Sequence, residues 1–197
     1  MSDLFHGSDI GGITVLEPFS TLYGTDKKVV YLTGSIPYAM VYIWDGNHNN
    51  LRKEKHVTAW VKNVSAYYEE QFPDQLETFY KGVSGYLYRA CDASGIKACA
   101  ERESIFYSTD RITVEKALMV PDVYEELLRY EESGKFRVRR FNEQSIQRQM
   151  ELTELIANAI LRDNFCYGNE EKAKFYKMYF ENSWELAKKL KGKGYDK

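Results

Sequence analysis

The hydrophobic period changes once along this chain, and that change constrains the fold more than any other feature. Up to about residue 140 the apolar residues come in short runs, often alternating, broken by Gly, Asn, Asp and Pro; from Asn142 to Lys191 they recur every third or fourth position. Alternation is the period of a strand, and three-to-four spacing is the period of a helix face. An α+β chain is therefore expected, with a split, mixed or antiparallel β-sheet core and short helices over residues 1–140. A C-terminal helical pair over residues 141–197 is expected to pack on it. Gly134 marks the internal boundary.

Within the first part, the strand candidates are Leu4-Phe5-His6, ended by Gly7-Ser8, then Ile13 to Leu16, stopped by Pro18, then Val29 to Thr33. Ser35 and Pro37 have the form of an N-cap and a first-turn proline for a helix carrying Ala39 to Ile43. A hairpin is expected over His56 to Val61 and Tyr67-Tyr68, followed by a helix around Pro73 to Tyr80 and a strand from Gly85 to Arg89. Ile105 to Tyr107 and Val114 to Val120 read as a further strand pair, Val123 to Glu132 as a helix opened by Pro121-Asp122, and Phe136 to Arg139 as a last strand. Two amphipathic helices follow, one through Ile146 to Ile160 and one through Ala173 to Leu190.

Composition narrows the function classes. The chain has 197 residues, 44% of them hydrophobic, with 27 Lys and Arg against 29 Asp and Glu and a net charge of −2. That apolar content excludes general disorder, and the near-neutral balance removes the basic field that would by itself argue for nucleic acid. No apolar run approaches the roughly 18 residues that span a bilayer, so no membrane partner is expected. The start Met1-Ser2-Asp3 lacks the basic flank of a secretion signal, which makes the cytoplasm the expected location. Cys91, Cys99 and Cys166 form neither a disulfide framework nor a zinc ribbon. His48 and His56 have no partner at metal-ligand spacing, so no metal is expected. Lys135, Arg137, Arg139 and Arg140 read as a solvated strand face, and Lys188, Lys189, Lys191, Lys193 and Lys197 as complements to a helix C-terminus and a tail.

The aromatic content, 16 Tyr, 10 Phe and 3 Trp, suits half-buried strands and planar ligands alike, so position must decide. Three pieces stand out. His6 ends a strand before Gly7, whose missing Cβ opens main-chain groups to close approach. Tyr31 is followed eleven positions later by Tyr42, so a strand and the helix after Pro37 can set two phenol rings across a slot. Glu115 heads the apolar run to Val120, either on a solvated edge or aimed into a cleft, where a carboxylate can hold a sugar hydroxyl or stabilise a cation. Taken singly, each piece is more commonly a turn, core packing or a solvated edge.

Taken in order, His6-Gly7, Tyr31-x10-Tyr42 and Glu115 before an apolar strand and a helix resemble the His-Tyr-Glu class of ADP-ribosyltransferases, the group of poly(ADP-ribose) polymerases and diphtheria toxin. The resemblance covers roughly residues 4–130 and implies an ADP-ribosyltransferase-like fold there. It implies NAD as co-substrate, loss of nicotinamide through an oxocarbenium-like state, and capture of the ribose by an unknown acceptor: protein, nucleic acid or small molecule. On that resemblance His6 binds the adenosine ribose, Gly7 offers backbone groups to the carboxamide, Tyr31 and Tyr42 sandwich the nicotinamide, and Glu115 is the catalytic carboxylate. Ala39 stands where many members place a serine that bonds the carboxamide, and Thr33 or Ser8 is expected to supply that contact. Glu101, Glu103 and the Glu69-Glu70 pair are rival carboxylates. The enzyme reading requires Glu115 to converge with His6, Tyr31 and Tyr42 on one cleft. The alternative is a catalytically inactive module of the same fold that binds a partner or a nucleotide; transfer of a 2′-phosphate from RNA to NAD ranks below both.

Overall fold

The computed structural model describes residues 3–44, 57–90, 95–100, 102–166 and 170–192. His48, His56, Cys91, Glu101, Lys193 and Lys197 lie outside the described residues.

The fold is α+β, with mostly antiparallel sheets. The strands are β1 (Phe5–Ser8), β2 (Val15–Leu16), β3 (Ser20–Thr21), β4 (Lys28–Thr33), β5 (Thr58–Lys62), β6 (Ser65–Glu69), β7 (Gly85–Ala90), β8 (Lys97–Ala98), β9 (Ile105–Ser108), β10 (Ile112–Val120) and β11 (Phe136–Arg139). The helices are α1 (Ile36–Met40), α2 (Gln75–Tyr80), α3 (Val123–Glu132), α4 (Ile146–Ile160), α5 (Glu170–Tyr179) and α6 (Glu181–Gly192). The larger sheet runs β2-β10-β7-β1-β4-β9-β8, with β3 also on β4, and the smaller runs β11-β6-β5. Strands β3 and β8 hold two residues each, too few to show an alternation in sequence.

The chain divides into two compact units. One takes in Met1–Asp45, Ala59–Tyr68 and Leu76–Val138; the other takes in Gly46–Thr58, Glu69–Gln75 and Arg139–Lys197. In the first, Leu4, Leu16, Val30, Leu32, Tyr88 and Ile112 form a buried cluster on the large sheet. Strand alternation puts Leu4 and His6 on that side and Phe5 and Gly7 on the side of α1. Helix α1 starts where Ser35 accepts a hydrogen bond from the Tyr38 N–H, with Pro37 in the first turn. Its C-terminal end is held by the Tyr80 hydroxyl, which donates to the Val41 carbonyl at 2.8 Å.

In the second unit, α4 is capped by Ser145, which accepts from the Arg148 N–H. A π-helical turn, Leu161–Cys166, follows it. The long C-terminal run read as one helix is two, α5 and α6, which meet at the buried Phe180. The weak helix formers Asn182 and Ser183 occupy the first turn of α6.

Candidate functional site

The large sheet opens between β1 and β4. On one side β1 pairs with β7 at four positions, from Phe5↔Arg89 to Ser8↔Tyr86. On the other it pairs with β4 at Phe5↔Thr33 alone, after which the two strands part. The His6 ring reaches across this opening, its Nδ1 lying 2.9 Å from the Tyr31 carbonyl oxygen. A carbonyl only accepts, so Nδ1 carries the proton and Nε2 presents a lone pair. Burial lowers the His6 pKa, against a smaller opposing effect of the Tyr31 hydrogen bond, so the imidazole is neutral at neutral pH.

Gly7 is needed for a reason the sequence does not state. A Cβ there would lie 2.0 Å from the Ala39 carbonyl oxygen and 3.1 Å from Ile43 Cγ1. The backbone that the missing side chain admits is that of the chain's own helix α1. With α1 so close, a cavity of about 240 Å³ remains, walled by His6, Gly7, Tyr31, Thr33, Tyr38 and Tyr42, with Arg102 among the other lining residues. One ordered water needs only roughly 10–15 Å³ of such space, so the cavity has room for an organic ring.

Five of the seven residues singled out in sequence thus line one cavity: His6, Gly7, Tyr31, Thr33 and Tyr42. The Tyr31 hydroxyl accepts from the Tyr23 N–H and donates to the Thr21 carbonyl, which fixes its ring against the β3 segment. Tyr42 follows α1, and its hydroxyl lies 2.8 Å from that of Tyr38, with ring centroids 5.2 Å apart in an edge-on arrangement. Buried Tyr38 is held protonated, its pKa raised first by desolvation and then by Tyr42. Thr33 uses its hydroxyl oxygen to accept from the Ser35 N–H. Ser8 lines a second hollow of about 340 Å³, which shares His6, Ser20 and Tyr31 with the first and is otherwise mostly apolar, from Ile10 to Val30. Its hydroxyl accepts from the Ile10 N–H.

Glu115 is not among the cavity's lining residues. Its side chain is 47% exposed and accepts from Arg89 Nη2 at 2.6 Å, while Arg89 Nη1 donates to Asp3. The physical reason is its place on β10, which two strands, β7 and β1, separate from β4, at a bulge between Val114 and Lys116 that leaves Glu115 as the extra residue. The convergence required of Glu115 is not met, so the enzyme reading in the form that depends on Glu115 fails, and it stands only if another carboxylate serves this cavity. Among the rivals that lie in the described residues, Glu103 stands closest to the cavity in the chain. It sits in a tight turn closed by a hydrogen bond from the Ile105 N–H to the Arg102 carbonyl, and both Arg102 and Ile105 line the cavity. Ser104 takes φ +58 in that turn, and its carbonyl accepts from the Gly34 N–H. Glu103 is exposed and makes no ion pair with a described residue.

Sequence reasoning missed Tyr38 and Arg102. Tyr38 was within reach, since it lies one helical turn before Tyr42; Arg102, flanked by glutamates, reads as an ordinary solvated charge. Among the described residues no group of three His, Cys, Asp or Glu could hold a metal ion, and no helix is long and apolar enough to cross a membrane. No family model matches the sequence, and no curated protein or solved structure matches the chain.

Proposed function

We propose that the chain is an NAD-dependent ADP-ribosyltransferase that cleaves the nicotinamide–ribose bond and passes ADP-ribose to an acceptor. The observation that carries this reading is the shared cavity of His6, Gly7, Tyr31, Thr33 and Tyr42, at the point where β1 and β4 part. In it the nicotinamide ring lies between Tyr31 and Tyr42, and the His6 Nε2 lone pair accepts from a ribose hydroxyl. Glu103 takes the place expected of Glu115, holding the nicotinamide ribose and stabilising the cation that develops as the bond breaks. The rings align the leaving group, so the acceptor attacks a fixed carbon.

The test is nicotinamide release from NAD by the purified chain and its variants. Glu103→Gln is expected to lower the rate by about a hundredfold or more, Tyr31→Ala to weaken NAD binding, and Glu115→Gln to stay within about threefold of the parent. Equal rates in the parent and Glu103→Gln would remove Glu103 from the chemistry.

A second reading, a nucleotide-binding module without turnover, is favoured by one specific observation: Ala39, beside Gly7, offers no hydroxyl to a carboxamide. NAD that raises the unfolding temperature without release of nicotinamide selects that reading, because a ligand of the native state must stabilise it.

A further inference from the structure

Among the described residues that line the cavity, Arg102 is the sole ionised side chain: none of them is Asp or Glu, and His6 is held neutral by burial. The guanidinium lies 6.0 Å from the Tyr23 ring centroid and makes no ion pair with a described residue. The adjacent Glu103 makes no ion pair with it. A guanidinium has five donors in a rigid fork and no acceptor. Placed beside an aromatic slot whose described lining residues include no carboxylate, it favours an occupant that brings its own anion.

The ring of an ordinary nicotinamide dinucleotide is a pyridinium cation, which meets Arg102 as a like charge. Exchange of the carboxamide for a carboxylate makes the ring a zwitterion, with an anion for the guanidinium to bind through two parallel hydrogen bonds. Ala39 points the same way, since it supplies no hydroxyl that would select an amide. The donor's pyrophosphate is a less apt partner: the second hollow extends from His6 and Tyr31 toward Ile10 and Val30, and Arg102 lines the first cavity without lining the second.

We infer that Arg102 makes this cavity selective for a planar aromatic ring that bears a carboxylate, so that the nicotinate form of the dinucleotide binds in preference to the nicotinamide form. The inference rests on the ring-clamp reading above and sharpens its substrate class.

Calorimetric titration of the full chain at neutral pH and low salt tests it, with the nicotinate dinucleotide, NAD and free nicotinate as ligands. The parent is expected to bind the nicotinate form roughly tenfold more tightly than NAD. Arg102→Gln is expected to weaken the nicotinate form by about tenfold while NAD changes by less than about twofold; Arg102→Lys keeps part of the preference. Arg102 is exposed on a turn, and the parent's own ratio needs no variant. A parent that binds NAD as tightly as the nicotinate form overturns the inference, as does an equal loss for both ligands in Arg102→Gln, the sign of a phosphate contact. If neither dinucleotide binds, the NAD reading fails, and free nicotinate decides the selectivity: binding that depends on Arg102 upholds it, and no binding overturns it as well.

Discussion

At Gly7 the choice of side chain is forced by a helix. A Cβ placed 2.0 Å from a backbone carbonyl oxygen has no rotamer by which to escape, so β1 and α1 must separate. Gly7→Ala is expected to cost about 3 kcal/mol and to lower the unfolding temperature by about 10 °C. Ligand affinity should fall as well, since the cavity wall moves; an unchanged temperature in a thermal scan would contradict the packing. His6 gives a pH dependence with a definite sign. Its folded pKa lies below the ordinary imidazole value of 6.5, chiefly through desolvation, so above that pH it is neutral in both folded and unfolded chains. As pH falls below 6.5 the unfolded chain takes up the proton first, and stability declines until the folded imidazole is protonated too. The folded Nε2 acceptor is lost only at the acid end of that range, as pH falls through the lowered folded pKa, so ligand affinity should be flat at and above 6.5 and fall only in more acid solution, with His6→Gln flattening the profile. Affinity that rises in acid would refute the tautomer assignment. His6, Tyr31 and Tyr42 were legible in sequence because strand ends and ring spacing leave marks there. The role of Gly7 was only half legible: the missing side chain can be read, but what it makes room for cannot.

Among the elements, β10 shows where pattern reading stops. Its apolar run from Ala117 to Val120 marks a strand correctly, yet the bulge before Lys116 changes where Glu115 lies, and a bulge has no sequence period. The helical segments were legible to their caps at Ser35, Asp122 and Ser145, because each cap is a local hydrogen bond made by a residue type suited to it. Helix α4 also carries a longer-range tie. Arg148 Nε and Nη2 grip the two oxygens of Glu69 at 3.2 and 2.7 Å, and Glu69 is 2% exposed at the end of β6. A lone buried carboxylate is costly, so Arg148→Met should destabilise the chain by about 2 kcal/mol, or about 6 °C. Arg148→Lys should recover only part, because an ammonium cannot reproduce the two-pronged grip. Equal stability of all three proteins in denaturant titration would show that Arg139, 3.6 Å from Glu69, suffices.

For the whole molecule, one boundary near residue 140 was the natural reading of the change in period, but compactness follows contacts rather than chain order. Glu69–Gln75 leaves the end of β6 and belongs with the C-terminal residues. Glu70 accepts from the Phe141 N–H at 3.1 Å and its carbonyl accepts from Gln144 Nε2 at 2.9 Å, while the Phe72 ring lies 5.2 Å from those of both Tyr179 and Phe180. No local pattern announces such an excursion, since its partners lie some seventy or more residues away. A chain ended at Val138 therefore loses both arginine partners of buried Glu69, the Phe141 and Gln144 hydrogen bonds of Glu70 and the Tyr179 and Phe180 neighbours of Phe72, though every described residue lining the cavity is retained. Hydrogen exchange on that shortened chain should show residues 69–75 unprotected, because buried Glu69 loses both of its arginine partners, Arg139 and Arg148, and a buried carboxylate so stripped opens to water. Full-chain protection of that segment in the shortened protein would mean that the first unit holds it unaided, and the division of the molecule would then be the single cut that the change in period implies.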